Sequence, residues 1–197
     1  FEPHDSGLTA FGYEVVDEMN RLGMVIDLSH AGHKTAMDVV TYSNRPVTVT
    51  HANPDAWHSA PRNLHHDLLQ ALSDTGGMVG FSLYPHHLKG GSECGLSEFS
   101  QMAADLVTTY GSQMFGIGSD LCQDQPDSVV NWMRNGHWRK TPAPPVAFPA
   151  CPVWFRDNRD FPGLSDGLFA AGLPVEHVAG ILGGNWMAFW DKAFAPS

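Results

Sequence analysis

Several large protein classes are excluded by what this sequence has little of. Only 3 of its 197 residues are cysteine, and Cys94, Cys122 and Cys151 form no CxxC pair, so neither a disulfide framework nor a zinc knuckle is encoded. That suits a reducing compartment; the cytoplasm is the expected location, with periplasm and secretion left open. Positive charge is scarce as well, since 11 Lys and Arg stand against 21 Asp and Glu for a net charge of −10. With no basic run to track phosphates, nucleic acid is not an expected partner. No apolar stretch approaches the roughly 18 residues of a membrane span. The opening Phe1-Glu2-Pro3-His4-Asp5 carries neither an initiator methionine nor a signal peptide and reads as a cut rather than a natural beginning.

What is there is an ordinary globular composition, 43% hydrophobic and 16% charged, long enough for one compact domain with a buried core. Against it stand 11 histidines, as many as all Lys and Arg together. Histidine is the commonest metal ligand, so their placement becomes the question.

Apolar residues at helical spacing from Phe11 to Leu22, closed by Gly23, predict a first helix. The apolar run Met24–Leu28 then reads as a buried strand. The same cycle repeats three times: a helix over 34–42 before strand 47–50, a helix over 64–73 before strand 78–83, and a helix over 97–110 before strand 114–118. Residues 121–161 show no sustained period and read as a long loop insertion, in which Trp132, Arg134, Trp138 and Arg139 either reshape the substrate pocket or, the favoured reading, pack the loop onto the rim of the domain. Helix spacing resumes over 164–171, 174–182 and 186–194.

Four strands alternating with helices argue an α/β fold with a parallel sheet. The pattern suits either a small doubly wound sheet or half of a (β/α)8 barrel. In both, ligands gather at the carboxyl edge of the sheet. Here that edge reads Asp27-Leu28-Ser29-His30, Thr50-His51, Leu83-Tyr84 and Ser119-Asp120. His30, His51 and Asp120 would thus reach one rim together, with nitrogen and carboxylate donors that suit a zinc-like ion. Taken singly, each histidine is as well explained by a structural hydrogen bond, and Asp120 by capping its loop. His33, His58, His65, His66 and His177 fall away from the strand ends and read as a solvated face. His86-His87 follow a strand and could touch a ligand, but adjacent loop residues rarely share one metal. Cys122 reads as a small packing residue.

The segments Gly7-Leu8-Thr9-Ala10-Phe11-Gly12, Met19 to His30, Thr50-His51-Ala52-Asn53, Pro61-Arg62-Asn63-Leu64, Gly116 to Asp120 and Ile181 to Trp186 together resemble the membrane (renal) dipeptidase family, binuclear zinc peptidases of the amidohydrolase-like group. The match runs in order over nearly the whole chain. The resemblance implies the carboxyl-terminal half of a (β/α)8 TIM-type barrel, one partial metallohydrolase domain over residues 1–197. It implies hydrolysis of dipeptides by a bridging hydroxide between two zinc ions. Carried over by position, His30 and His51 become the histidine ligands of one zinc, Asp120 the catalytic proton carrier, Arg62 the clamp on the substrate carboxylate and Tyr84 a pocket neighbour. Outside that resemblance, Arg62 reads as a loop arginine.

The chain also departs from the family pattern. A His-x-Asp pair, a bridging glutamate and a further histidine belong upstream of the Gly-Leu-Thr segment, so at most a partial metal site is expected and the isolated chain should be inactive. Where the family has Gly-Ser-Asp-Phe-Asp-Gly, this chain has Gly118-Ser119-Asp120-Leu121-Cys122-Gln123-Asp124. Two other readings stay open: a catalytically silent half-barrel that binds or supports another chain, and an amidohydrolase acting on a cyclic amide or ester. Four barrel strands would leave two unpaired sheet edges, which makes a homodimer or larger oligomer an expected association.

Overall fold

The computed structural model describes residues 4–135 and 148–195. Helix α1 (Ala10–Leu22) starts where the Thr9 hydroxyl accepts the Gly12 N–H and stops at Gly23, whose φ of 70° supplies the left-handed cap that a Cβ would oppose. Helix α2 (His33–Tyr42), strand β1 (Thr48–Ala52), helix α3 (His66–Thr75), strand β2 (Met78–Phe81), helix α4 (Leu96–Tyr110) and strand β3 (Phe115–Ile117) follow. The three strands form one parallel sheet in the order β1-β2-β3, so the fold is α/β, as the alternation predicts. Phe81, Phe99 and Phe115 are fully buried at its centre, with Phe81 stacked on Phe115 at 4.9 Å and meeting Phe99 edge-on. No helix among the described residues is long and apolar enough to cross a membrane.

Three expectations need correction. The segment Met24–Leu28 lies beside β1 in parallel, but only as a single bridge between Asp27 and Thr48, with Thr48 exchanging bonds with Ile26 and Leu28. The ladder stops there because the Asp27 carboxylate, not a backbone carbonyl, takes the next amides, and because the chain turns away at Ser29-His30. The stretch 121–161 is not all loop: helix α5 covers Asp127–Asn135. Val130 is the one residue buried along its described side chains, too short a stripe to read as a period. Of the residues expected to pack this stretch, Trp132 is 60% exposed; Trp138, Arg139 and the side chain of Arg134 lie outside the described residues.

The third correction concerns the sheet edges. Helices α6 (Phe161–Ala170) and α7 (Val175–Ala179), a wide turn over Gly180–Gly184 and helix α8 (Asn185–Ala193) close the chain. Asn185 donates to the carbonyls of Ser112 and Phe115, and the Trp186 indole N–H to that of Ile117. Those of Phe115 and Ile117 are the outward-facing carbonyls of β3, so on its free edge they are capped by side chains. Gly116 makes room for the indole, because a methyl group there would overlap it. The Gly-Gly-Asn-Trp motif is therefore structural.

The sheet is strongly curved. β1 and β3 are not neighbours in it, yet the Thr50 carbonyl reaches over β2 to Gly80 and Gly118, and a methyl group on either glycine would overlap that oxygen. The pairing of β1 with β2 slips between Val49 and Ala52, a bulge of the kind that re-aims side chains at functional edges.

Candidate functional site

The carboxyl edge of the sheet is where the backbone is most unusual. Among the described residues three non-glycines have positive φ: His30 at 69°, Asp120 at 50° and Asp124 at 52°. Such conformations cost energy and persist where the surroundings over-determine them. His30 occupies the third position of the turn Leu28–Ala31, closed by the Ala31 N–H on the Leu28 carbonyl at 3.0 Å, where a positive φ normally calls for glycine or asparagine. The turn throws the His30 ring back over the sheet, toward the ring that the β1 bulge presents.

The two rings meet through their Nε2 atoms at 3.2 Å. The Oδ2 of Asp120 lies 3.9 Å from Nε2 of His51. The structure thus brings His30, His51 and Asp120 to one point from three strand ends. Partial burial, then the charge of Arg62, lowers the pKa of His30; burial and Arg62 also lower that of His51, against the pull of Asp120. Both shifts favour the neutral form of the ring, the form with a lone pair to give.

Behind His51 a chain of hydrogen bonds runs to the sheet edge. Thr50 Oγ1 donates to Asp27 Oδ2 at 2.7 Å and lies 2.9 Å from His51 Nδ1. Asp27 Oδ1 accepts the N–H groups of Ser29 and Thr50 at 2.9 and 3.0 Å. Burial raises the pKa of Asp27, but these bonds outweigh it and hold it below its ordinary value. Ser29 Oγ completes the group, 3.0 Å from Thr50 Oγ1.

Arg62 stands on the loop after β1. That loop is fixed by buried amides: Asn63 accepts the Asn53 N–H and donates to the carbonyls of His58 and His87, while Asn53 donates to those of Ser82 and His87. The Nε and Nη2 atoms of Arg62 are buried without a hydrogen-bond partner. These are the two donors on one edge of the guanidinium, the pair that meets both oxygens of a carboxylate. Burial lowers the arginine's pKa, opposed by Asp120 and Asp27. Tyr84 shares a cleft with Asp120, Leu121, Cys122 and Cys151, and its ring lies 5.4 Å from that of His87.

Asp27 and Thr50 receive no role from sequence reasoning, and His87 is weighed there together with His86 and set aside. His87 is 4% exposed, bonded through Nδ1 to Ser82 Oγ at 2.7 Å and stacked 6.4 Å from His51. Burial, followed by the charges of Arg62 and the neighbouring histidines, pushes its pKa down to about 3. The signal for Asp27 was an acid inside an otherwise apolar strand run.

The residues present fit a metal in part. Among the described residues no group of three or more His, Cys, Asp or Glu side chains is placed to hold an ion. Two imidazole nitrogens 3.2 Å apart nevertheless match two bonds of about 2.1 Å to one zinc-sized cation.

Comparison with known proteins gives the family. A profile of the membrane dipeptidase family, peptidase family M19, matches residues 1–133. The chain is 30% identical to Dipeptidase aclJ of Aspergillus oryzae over 93% of its own length and 38% of that protein's. With Dipeptidase 3 of Mus musculus it shares 30% identity over 94% of the chain and 33% of the relative. The chain thus spans between about a third and two-fifths of the length of these curated relatives. Among solved structures, an amidohydrolase from Pseudomonas aeruginosa superposes with a TM-score of 0.87 at 30% identity, covering 97% of this chain and 59% of that one. A metallopeptidase from Rhodobacter sphaeroides, solved with a phosphinate mimic of the dipeptide L-Ala-D-Ala, gives a TM-score of 0.76 at 26% identity over 96% of this chain and 48% of its own. By its profile, its relatives and its fold, the chain belongs to the membrane dipeptidase family, peptidase family M19.

Proposed function

We propose that this chain forms the carboxyl-terminal half of a (β/α)8 barrel that hydrolyses dipeptides with zinc, His30 and His51 being two of the metal's ligands. Support for the barrel comes from the curvature of the sheet and the reach of Thr50 across to Gly118. Support for the substrate comes from Arg62, and this is the observation that carries the reading: a bidentate guanidinium edge lies buried and unpaired in the same electrostatic neighbourhood as two facing imidazoles. Leaving such donors empty costs about 1–3 kcal/mol, a cost that a substrate carboxylate removes.

The chain's own residues then divide the work. Arg62 holds the free carboxylate of the peptide through Nε and Nη2 and so fixes the scissile amide near the histidine pair. Asp120 accepts a proton from the attacking water and returns it to the nitrogen of the leaving amine. Tyr84 walls the cleft beside Asp120. When bound at His30 and His51, a zinc ion acidifies water and polarises a carbonyl.

The test is steady-state kinetics on the full-length natural protein that contains residues 1–197, with a dipeptide and the corresponding dipeptide amide. Arg62→Ala should raise KM for the acid by roughly 10- to 100-fold with little effect on the amide, because it removes binding present in ground and transition states alike. Equal losses on both substrates would overturn the carboxylate clamp, and a protein that binds no zinc would overturn the metal assignment. A cyclic amide or ester, lacking a carboxylate, gives Arg62 nothing to hold.

A further inference from the structure

We propose that Asp27 and Thr50 are positioning residues that hold His51 as its Nδ1–H tautomer, leaving the Nε2 lone pair bare toward His30. The proposal rests on the reading of His30 and His51 as metal ligands only for its purpose, since the proton count that carries it is local.

That count runs outward from the carboxylate. An ionised Asp27 only accepts, so the 2.7 Å bond at Oδ2 uses the one proton of the Thr50 hydroxyl. Thr50 Oγ1 then has two lone pairs and no proton left. Its contact with His51 Nδ1 at 2.9 Å requires the proton to sit on Nδ1, and its contact with Ser29 Oγ at 3.0 Å takes the serine proton. Ser29 Oγ in turn accepts the His51 backbone N–H. An imidazole protonated at Nδ1 is unprotonated at Nε2 while neutral, and Nε2 is the atom 3.2 Å from His30. Free imidazole side chains have no such restriction. The relay therefore selects the form able to ligate, at the far end of a chain of three side chains, as carboxylate-supported histidines do in metal sites generally.

The geometry also dictates what a single amide would do. In Asp27→Asn the carbonyl oxygen must stay opposite the N–H groups of Ser29 and Thr50, which meet Oδ1 at 2.9 and 3.0 Å. The amide NH2 then faces Thr50 Oγ1, which becomes an acceptor and turns its own proton toward His51 Nδ1. The tautomer inverts, and Nε2 carries the proton.

Long-range proton–nitrogen-15 correlation spectra of the histidine rings, recorded on the metal-free full-length protein with the His51 signal assigned by its loss in His51→Gln, read the tautomer directly. Wild type and Thr50→Ser should show a protonated Nδ1 and a bare Nε2 at His51; Asp27→Asn should show the reverse. Thr50→Val keeps side-chain volume and both backbone bonds to Asp27, so it supplies a folded control in which the preference is lost. Zinc titration against a competing chelator should show affinity lower by 10- to 100-fold in Asp27→Asn and Thr50→Val, and near wild type in Thr50→Ser. A wild-type His51 protonated at Nε2, or a Thr50→Val spectrum unchanged from wild type, would overturn the relay. The tautomers behaving as stated while wild-type protein binds no zinc would leave the relay standing and sink the metal reading alone.

Discussion

His30 and His51 arrive at a 3.2 Å separation of their Nε2 atoms by two different backbone distortions. One ring is carried by a residue at φ 69° in a tight turn, the other by a strand whose pairing slips between Val49 and Ala52. Neither regular structure alone would aim these rings at each other. Asp120, the third residue at that point, also sits at positive φ. Strained backbone and candidate chemistry coincide here.

Replacing Asp120 by Asn keeps size and most hydrogen bonding while ending proton acceptance. In the full-length protein kcat should fall by roughly 10² to 10⁴, for a dipeptide and its amide alike. Near-normal turnover in Asp120→Asn would show that Asp120 only shapes its loop.

His87 makes stability depend on acid. Its folded pKa of about 3 lies below the ordinary 6.5, so the unfolded chain binds a proton that the folded chain refuses. The sign follows: stability is fully present above about 6.5 and is lost as pH falls toward about 3, at up to about 1.4 kcal/mol per pH unit from this residue. His30 and His51 act in the same direction. Denaturant titrations between pH 7 and 4, taken at about one-unit steps, should show this slope and a shallower one in His87→Asn; parallel slopes would refute it.

The legible part of this molecule lay in periods and strand ends. Gly23 stops α1 and Gly76 stops α3, both as left-handed caps, and each strand end named from the sequence contributes to one edge. What was not legible depends on contacts across the chain. Which of His86 and His87 turns inward is decided by the short helical turn Pro85–His87, not by their identities. The importance of Asp27 appears only once Thr50 is beside it, and that placement requires a bulge that no local pattern announces. Helix α5 escaped notice because its burial rests on Val130.

Gly118 is predicted to tolerate no side chain. Its φ is not of the left-handed kind, so conformational freedom is not the reason; the space is filled by the Thr50 carbonyl, which is backbone and cannot rotate away. Gly118→Ala should lower stability by about 1–3 kcal/mol or more, read from thermal or denaturant unfolding, and it should disturb His51 through Thr50. An alanine variant as stable as wild type would mean the sheet is less curved than described.

The three thiols should react in a fixed order. Cys94 is 2% exposed and burial pushes its pKa up to about 11, so it should stay unmodified by a thiol-directed alkylating reagent until the protein unfolds. Cys122 is exposed and should be modified first in the native state. Peptide mapping by mass spectrometry after brief labelling checks the order, and early labelling of Cys94 would contradict the packing.

The caps supplied by Asn185 and Trp186 give the sheet a direction of growth. With the β3 carbonyls of Phe115 and Ile117 already taken, the described edge that still offers both backbone donors and acceptors is the Met24–Leu28 side, where the N–H and C=O groups of Val25 and Asp27 have no backbone partner among the described residues. Two copies meeting there would be related by a twofold axis, each using the same edge. Whatever completes this sheet, be it another stretch of polypeptide or a second molecule, meets the Met24–Leu28 side with its backbone groups ready and the β3 side with its carbonyls already engaged.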